Sequence, residues 1–509
     1  MDGTRLQTAC GKVLSKLFST APLMAPLVAP FVAMLMATLV VCSGARADVG
    51  IVLNESLDTS VARITGSGHS AVYLSRICPA SPTKMRLCAP GEQGSVISNY
   101  TTLGEDDPFE LNIVSLNTFV YGVSNMDDRP LFSSFKIKGA LEEHYRENVI
   151  RDYCASKSCQ TSNKAEWREM VSAASERTLY ILIASTTLEQ DKALIDKFNA
   201  MPNVNHFNGM TRNCADFTKN VIDTYFPHAA HRDPVNDFGM TSPKAIARTF
   251  AHYAHEHPEM QYRVVHFAQL PGTIKHSTEC RSGTEQLYHS KKLVVPMAFF
   301  AWHELPVVAG SYLLTGRFNP EHEFEQHATI GETLDARAVK VAESDDDDAR
   351  VAQLKTAEEK QRDSVVGSPE EWAAYREAFD SMVTESVNEG LIPNRGALEH
   401  VFKNFDETGK PFLDSRGDLW LSVQEQENGK PKTVNVGLTP NNVLARGSDP
   451  LLAYRMILAH VNEALKSTPR RRESIAEFKE TWALLQQARA ELHPQHEPAL
   501  AMQRAALAP

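Results

Sequence analysis

The sequence lacks several features that would point directly to a function. It contains no phosphate-binding GxxxxGK[ST] loop, no GxSxG nucleophile elbow and no HExxH zinc motif, so the usual motif arguments for an NTPase, an α/β-type serine hydrolase or a metalloprotease do not apply. It also lacks an excess of positive charge, because the formal net charge is −11. Proteins that bind nucleic acid need a basic face. We therefore expect no nucleic-acid partner.

The histidines do not form a recognisable metal motif either. His252, His255 and His257 lie near the end of one predicted helix, and the first two share a side because they are three residues apart. No paired carboxylate or second motif accompanies them, so we interpret them as a solvated helix end. His303-Glu304 also lacks a second histidine at zinc-motif spacing. We expect no metal and no cofactor.

The first 47 residues have the pattern of an export signal. Basic residues near the start precede an apolar run over about 21–41, and Ala45-Arg46-Ala47 follows. This order is typical of a secretory signal that is cleaved, here after Ala47. We predict an exported protein, either periplasmic or secreted. The apolar run is long for a signal, so an uncleaved N-terminal membrane anchor is the alternative.

Six cysteines follow the predicted cleavage site, and four of them form two local pairs. The pairs are Cys78 with Cys88 and Cys154 with Cys159. Either pair could close a short loop by a disulfide in an oxidising compartment. Two cysteines remain, Cys214 and Cys280, and they are either free or joined to each other.

Cys214 lies where a polar turn meets an amphipathic helix, in the segment 206–226. Asn213 or Thr211 can cap this helix, and apolar residues then recur every four positions on one face. A thiol in the first turn is close to unsatisfied backbone N–H groups and to the positive end of the helix dipole. Both favour the nucleophilic thiolate. The alternative is a buried, inert structural cysteine.

The region up to about residue 275 mixes strands with helices, which is typical of an α+β fold. Gly68-His69 leads into a strand at 71–74. Further strands are predicted at 95–100, 109–116, 178–185 and 261–267, and helices at 141–151, 165–175, 188–201, 214–226 and 243–257.

Two motifs in this region resemble the permuted papain-like superfamily of cysteine hydrolases and acyltransferases. The superfamily includes lecithin:retinol acyltransferase-like enzymes and permuted relatives of bacterial cell-wall endopeptidases. The resemblance rests on GHSAVYL at 68–74 and NCADF at 213–217 and covers about residues 60–270. The histidine precedes the cysteine here, as in the permuted members. The resemblance implies a papain-like (permuted) antiparallel sheet with packed helices over residues 48–275.

The resemblance also implies catalytic roles for individual residues. Cys214 would be the nucleophile and His69 the general base. The N–H of Cys214 would donate to the oxyanion. The acyltransferase branch carries a second histidine on the next strand, which this chain lacks between His69 and His144, so that branch is disfavoured. A Cys214–Cys280 disulfide would exclude any such chemistry.

A third polar residue would orient the imidazole. A simple hairpin closed by Cys78 and Cys88 places His69 opposite Ile97, with Asn99 diagonal to it on the same face. Asn99 is therefore the preferred orienting residue. Its rivals on the same stretch are Ser95 and Glu92.

The rest of the chain shows no catalytic pattern. Residues 276–320 include an apolar segment at 293–314 that packs on the first domain or contacts a membrane. A polar helical linker follows at 321–367. Residues 368–509 are predicted to form a mainly helical accessory module with one β-hairpin at 418–438, whose turn is Asn428-Gly429.

Together these patterns predict an exported thiol hydrolase or acyltransferase with a Cys–His pair. Its substrate would be a peptide or cell-wall amide or an acyl ester. A catalytically inactive, ligand-binding member of the same fold is one alternative. The other is a membrane-anchored envelope interaction protein, with membrane contact through residues 21–41 and 293–314.

Overall fold

The structure is a computed structural model that describes most of the chain between residues 47 and 492. The described residues are 47–57, 68–99, 112–151, 170–203, 208, 211–289, 303, 306, 309–310, 312–313, 317–328, 363–445 and 448–492. The predicted signal, the Cys154–Cys159 pair and most of the apolar segment 293–314 lie outside them. Within these residues, no helix combines the length and apolar character needed to cross a membrane.

The fold is mixed α+β with antiparallel sheets, in agreement with the class predicted from the sequence. The strands are β1 (Ala47–Asn54), β2 (His69–Leu74), β3 (Ile77–Ser81), β4 (Lys84–Leu87), β5 (Ser95–Ser98), β6 (Asn112–Ser115), β7 (Leu179–Thr186), β8 (Arg263–Phe267), β9 (Lys410–Leu413), β10 (Leu419–Glu427) and β11 (Lys430–Gly437). The helices are α1 (Leu116–Tyr121), α2 (Phe135–Tyr145), α3 (Leu188–Ala200), α4 (Cys214–Tyr225), α5 (Pro243–Glu256), α6 (Gly283–His289), α7 (Pro320–His327), α8 (Pro369–Asn388), α9 (Val401–Thr408), α10 (Pro440–Val443), α11 (Pro450–Lys466) and α12 (Ile475–Leu492).

A six-stranded sheet in the order β6-β5-β2-β1-β7-β8 forms the centre of the fold. Its strand pairs are antiparallel. Strand β1, which the sequence analysis did not identify, lies in the middle and pairs with both β2 and β7. Its alternate side chains enter two different cores, for example Ile51 on one face and Val52 on the other. A strand that is apolar on both faces is expected where helices or loops cover the sheet on both sides.

Helices α4 and α5 cover one face of this sheet. Helix α4 contacts β2, and its apolar stripe, which includes Phe217, Val221 and Ile222, is buried. Each such side chain stabilises the fold by about 1.5–3 kcal/mol when it leaves water. Helix α5 begins at the predicted Ser242-Pro243, where Ser242 Oγ accepts from an N–H in the first turn. This packing fixes the position of Cys214 at the start of α4.

The opposite face of the sheet is covered by α1, α2 and part of the C-terminal half. Val52 and Ile181 from the sheet belong to the same buried cluster as Leu421 and Val436 from β10 and β11. The predicted hairpin at Asn428-Gly429 is confirmed, with Leu421 paired to Val436. Strand β9 adds a third strand beside β10, which the sequence analysis did not predict. Helices α8, α11 and α12 form a further apolar cluster.

A short hairpin interrupts the chain between β2 and β5. Strands β3 and β4 form their own two-stranded sheet, in which Cys78 pairs with Arg86. A disulfide joins Cys78 to Cys88, as one of the two expected local pairs. Because the hairpin and the disulfide stand outside the six-stranded sheet, they do not set the register of β2 against β5.

The register next to His69 therefore differs from the prediction. Ile97 pairs with Val72 and not with His69, a displacement of three positions. Side chains alternate between faces along a strand, so an odd displacement moves His69 to the other face. His69 consequently lies on the face of Ser98, whereas Asn99 lies on the face of Ile97. The physical reason is that the turns after Cys88 add residues that a simple hairpin would not contain.

Candidate active site

The site begins with the capped start of α4. Asn213 is the N-cap, and its side-chain oxygen accepts from the N–H groups of Ala215 and Asp216 at 2.9 and 3.0 Å. Asp216 in turn accepts from the Asn213 N–H, which completes a capping box. The Asn213 amide also donates to the carbonyl of Thr241 at 2.9 Å. These bonds hold the residue before Cys214 in one position.

The capping bonds do not involve the N–H of Cys214, which is the first N–H of the helix. Asn213 accepts from the second and third N–H groups of α4, and the N–H of Cys214 itself contacts no acceptor among the described residues. The first N–H groups of a helix lack partners within the helix and carry its positive dipole end. The Cys214 N–H is therefore available to an oxygen of a bound molecule.

His69 is the first residue of β2 and is 8 % exposed. The preceding Gly68 has φ +79°, and a Cβ added there would lie 2.5 Å from Cys280 Sγ and 2.5 Å from the Asn54 carbonyl oxygen. Only glycine adopts this conformation in so little space. Gly68 thus turns the chain sharply into β2 and sets the position of His69 opposite Asn54 on β1.

Cys214 and His69 contact each other at this point. Burial opposes ionisation of the thiol, but the charge of His69 and hydrogen bonds from His69 and Ser70 outweigh it. The pKa of Cys214 is therefore below the ordinary value for a cysteine. Cys214 as a residue is intermediate between buried and exposed. A thiol with a lowered pKa beside an imidazole is typical of a nucleophilic cysteine.

Ser70 is the second group that supports the thiolate. Its backbone and its hydroxyl both hydrogen-bond to Cys214. Thr218, one turn along α4, donates its hydroxyl hydrogen to Ser70 Oγ at 3.2 Å. Ser70 Oγ accepts from the Thr218 hydroxyl, and the Ser70 hydroxyl hydrogen is left to donate to the sulfur of Cys214. Sequence reasoning missed this role, although Ser70 directly follows His69.

Ser98 contacts the imidazole of His69. Ser98 Oγ lies 3.2 Å from His69 Nε2. It also lies 3.3 Å from the Ser70 carbonyl and 3.4 Å from the Asn99 carbonyl. Ser98 Oγ can accept from a His69 Nε2–H while its own hydrogen goes to one of the two carbonyls, because carbonyl oxygens only accept. We assign a proton to Nε2 from this hydrogen-bond pattern.

The three residues proposed from the sequence to orient the imidazole have other contacts. Asn99 is buried, and its amide donates to the Asn213 carbonyl at 3.4 Å. Ser95 Oγ donates to the Ile77 carbonyl at 2.5 Å. Glu92 pairs with Arg86, whose hydrogen bond, together with one from the Ala89 N–H, lowers the pKa of Glu92 to about 2.

Asn99 therefore lies in the site but acts on the cysteine side of it. Its bond to the Asn213 carbonyl joins β5 to the residue before the nucleophile. Its side-chain oxygen is buried without a hydrogen-bond partner among the described residues. The same is true of the side-chain oxygen of Asn54, the cross-strand neighbour of His69, and of both amide atoms of Asn112, the cross-strand neighbour of Ser98. Buried unpaired amides are uncommon, and these three lie next to His69 and Ser98.

Cys280 is the second free thiol, and it lies behind Gly68. It is 2 % exposed, and its Sγ donates to the Asn54 carbonyl at 3.0 Å. Burial and the nearby charge of Glu55 raise its pKa far above the ordinary value. The structure therefore contains no Cys214–Cys280 disulfide, and Cys280 is a structural thiol.

No protein-family model, curated protein or solved structure matches this chain.

Proposed function

We propose that the protein is a cysteine hydrolase or acyltransferase with a permuted papain-like fold. The observation that supports this most strongly is the contact between Cys214, at the N-terminus of α4, and His69, at the start of β2. The order of the two residues in the chain and their placement on a strand and a helix are those of the permuted family. The lowered pKa of Cys214 is what a thiol nucleophile requires.

The reaction begins with proton transfer from the Cys214 thiol to His69 Nδ1. The thiolate attacks the carbonyl carbon of the substrate, so that a C–S bond forms and the carbonyl oxygen becomes an oxyanion. When this intermediate collapses, the bond to the leaving group breaks, and His69 gives its proton to the departing amine or alcohol. The product of this half-reaction is a thioester on Cys214.

The second half-reaction releases the acyl group. Water, activated by His69, attacks the thioester carbonyl; the C–S bond breaks and Cys214 leaves as the thiolate. An amine in place of water would give acyl transfer by the same steps. The Cys214 N–H donates to the oxyanion in both half-reactions.

Ser98 and Asn99 are positioning residues in this proposal. Ser98 accepts the Nε2–H of His69 and so maintains the tautomer in which Nδ1 is the base. Asn99 binds the Asn213 carbonyl and so fixes the start of α4. Ser98 replaces Asn99 as our choice for the residue that orients the imidazole.

For the substrate, we favour an amide of the peptide or cell-wall type over a lipid ester. The second histidine of the acyltransferase branch is absent from the sequence, and that branch acts on lipids. The export signal predicted in residues 1–47 would bring the enzyme to the compartment that contains the cell wall.

Selective alkylation of Cys214 tests the proposal. The folded full-length protein is treated with iodoacetamide at pH 6, and modification of each cysteine is followed by peptide mass spectrometry. We expect Cys214 to react faster than the thiol of an unstructured peptide, because its lowered pKa keeps thiolate present below the ordinary cysteine pKa. Cys280 serves as an internal control that stays unmodified. His69→Ala should slow the reaction of Cys214 by about 10-fold or more.

Alkylation and cell fractionation together separate the alternatives. If Cys214 reacts no faster than the peptide thiol, the nucleophile assignment is wrong. A Cys214 that is reduced but unreactive favours the inactive ligand-binding alternative. A full-length N-terminus that stays with the membrane fraction would support the anchored envelope protein.

A further inference from the structure

A second cluster of functional side chains lies away from the Cys214 site, between helices α5 and α7. It consists of His255 on α5 and of Glu323 and His327 on α7. One donor atom from each of these three side chains lies within 4.8 Å of the other two. His255 Nε2 is 3.3 Å from Glu323 Oε2, and the imidazole rings of His255 and His327 have centroids 4.9 Å apart. The proposed hydrolase does not use any of the three.

The cluster forms because the positions of these residues on α5 and α7 bring their side chains together when the helices pack. Glu323 and His327 are four residues apart, so they project from the same side of α7. His255 is in the last turn of α5. Helix α7 packs on β8, and this packing brings its polar side to His255. The sequence pattern around His255 gave no sign of Glu323 and His327, because these two residues are about 70 positions away in the chain.

Glu323 lies at the centre of the cluster, with its Oε2 close to both His255 and Tyr262. Tyr262 Oη donates to Glu323 Oε2 at 3.1 Å. The Tyr262 ring also contacts the rings of His255 and His327, with centroid distances of 5.1 and 5.2 Å. A hydrogen bond to a ligating carboxylate and an apolar wall around the ligands are common features of metal sites.

We propose that His255, Glu323 and His327 bind one divalent transition-metal ion, with Zn²⁺ as the best fit. Zn²⁺ binds imidazole nitrogen at about 2.0–2.1 Å and carboxylate oxygen at about 2.0–2.2 Å, usually in a tetrahedron. Two tetrahedral ligands at these lengths are about 3.4 Å apart. The separation between His255 Nε2 and Glu323 Oε2, 3.3 Å, matches this value.

The donor set also limits the choice of metal. Two imidazoles and one carboxylate suit Zn²⁺, Ni²⁺ or Cu²⁺, whereas Ca²⁺ and Mg²⁺ prefer sites made of oxygen donors. Three protein ligands leave a fourth tetrahedral position for water or another donor. Because the ligands come from two helices, the bound ion would fasten α7 to α5 and thereby to the central sheet.

Zinc titration of the full-length protein tests the site. The protein carries no polyhistidine tag, and Cys214→Ser removes the thiolate as a competing ligand. Competition with a chromophoric chelator should show one tightly bound equivalent of Zn²⁺. His255→Ala, Glu323→Gln and His327→Ala should each weaken binding by about 100-fold or more, and Tyr262→Phe by about 10-fold. Zn²⁺ should also raise the melting temperature of the parent protein and not that of the three ligand variants.

Matched controls are present on the same two helices. His252 on α5 is paired with Glu256, and His322 on α7 with Glu325, but each pair is exposed and has no third ligand among the described residues. His252→Ala and His322→Ala should leave zinc affinity unchanged. Loss of affinity in all five variants alike would mean adventitious binding to surface histidines and would overturn the proposal, as would the absence of a tight equivalent.

Cobalt provides a readout that does not require the ligand variants to fold. Co²⁺ bound to the parent protein should show the visible spectrum of a tetrahedral ion with nitrogen and oxygen ligands. A sulfur-to-metal charge-transfer band, or an octahedral spectrum, would contradict the assigned ligand set. The alkylation of Cys214 does not depend on any of these results, so either proposal can fail without the other.

Discussion

Cys214 and Cys280, the two free cysteines in the part of the chain that the structure describes, lie next to the same dipeptide, Gly68-His69, and have opposite chemistry. Cys214 stands at a helix N-terminus, contacts an imidazole, and has a lowered pKa. Cys280 is packed against Gly68, donates to a carbonyl and has a raised pKa. Both thiols lose solvation by burial. The difference comes from their neighbours. Hydrogen bonds from His69 and Ser70 and the charge of His69 outweigh burial at Cys214, whereas burial and the charge of Glu55 outweigh the more distant cations at Cys280.

The Gly68-His69 dipeptide serves two purposes. Gly68 makes the turn that positions His69, and Cys280 fills the space behind that turn. In the proposed enzyme, the side of the dipeptide that faces Cys214 needs a reactive sulfur, whereas the side packed against Cys280 needs an inert one. The two thiols should therefore differ in their effects on activity and on pH-dependent stability.

The largest expected effect is the difference between Cys214→Ser and Cys280→Ser in activity. Cys214→Ser should reduce hydrolysis of a responsive amide or ester substrate by about 10³-fold or more, because a serine hydroxyl is a much weaker nucleophile beside this base. Cys280→Ser should leave the activity within about 2-fold. Steady-state kinetics on both variants measure this. Similar losses in the two variants would mean that their thiols do not differ in function.

Gly68→Ala should reduce both stability and activity. The new Cβ meets the Asn54 carbonyl oxygen and Cys280 Sγ, and the left-handed φ adds its own cost, so we expect a loss of about 2–4 kcal/mol in the free energy of unfolding. Displacement of His69 should lower activity by about 100-fold. Urea unfolding and kinetics measure the two effects.

Gly91→Ala is the matched control for that substitution. Gly91 also has a left-handed φ, +91°, but a Cβ there would meet nothing within 4 Å. It should therefore lose only about 1 kcal/mol of stability and keep its activity. If Gly91→Ala and Gly68→Ala behave alike, the close packing of Cys280 against the dipeptide is not what Gly68 preserves.

Local features of the chain were predictable from the sequence. The starts of α4, α5 and α8 follow from their caps, Asn213, Ser242 and Ser368, because a capped start is a short-range property. The turn Asn428-Gly429 likewise set the register of β10 against β11.

Features that depend on distant segments were not predictable. Asn99 was expected to orient the imidazole, with Ser95 and Glu92 as rivals, on a register fixed by the disulfide loop; the intervening hairpin changed the face on which His69 lies. Strand β1 was missed because it directly follows the apolar N-terminal segment. The position of Cys280 behind Gly68 depends on packing between residues more than 200 positions apart.

The two polar residues at the end of β5 should have different effects when removed. Ser98→Ala removes the acceptor for His69 Nε2–H, so we expect activity to fall by about 10- to 100-fold and the alkylation of Cys214 to slow. Asn99→Ala removes the bond to the Asn213 carbonyl and should have a smaller effect, about 10-fold or less, because other bonds still hold Asn213.

The pH dependence of Cys214 alkylation distinguishes a positioning role of Ser98 from a general loss of structure in the variant. Ser98→Thr retains the hydroxyl and should recover most of the lost activity, whereas Ser98→Ala should change the pH dependence of Cys214 alkylation. If Asn99→Ala is the more damaging variant and alters that pH dependence, the original assignment of Asn99 to the imidazole is correct and that of Ser98 is wrong.

The smallest expected effect is on the free energy of unfolding at alkaline pH. As pH rises, the contribution of Cys280 should decrease and that of Cys214 should increase. Because the pKa of Cys280 is higher in the folded than in the unfolded protein, its contribution is fully present below the unfolded value of about 8.5 and is lost above it. The loss should approach about 1.4 kcal/mol per pH unit. Serine does not titrate in this range, so Cys280→Ser should reduce the alkaline decline.

Cys214 should show the reverse dependence. Its folded pKa is lowered, so its contribution is present above the unfolded pKa and is lost as pH falls through the folded value. In urea unfolding between pH 6 and 10, wild type should therefore gain stability relative to Cys214→Ser as pH rises, while it loses stability relative to Cys280→Ser. Parallel curves for the two variants would mean that His69 and Ser70 do not stabilise the Cys214 thiolate, because burial alone shifts both thiols in the same direction.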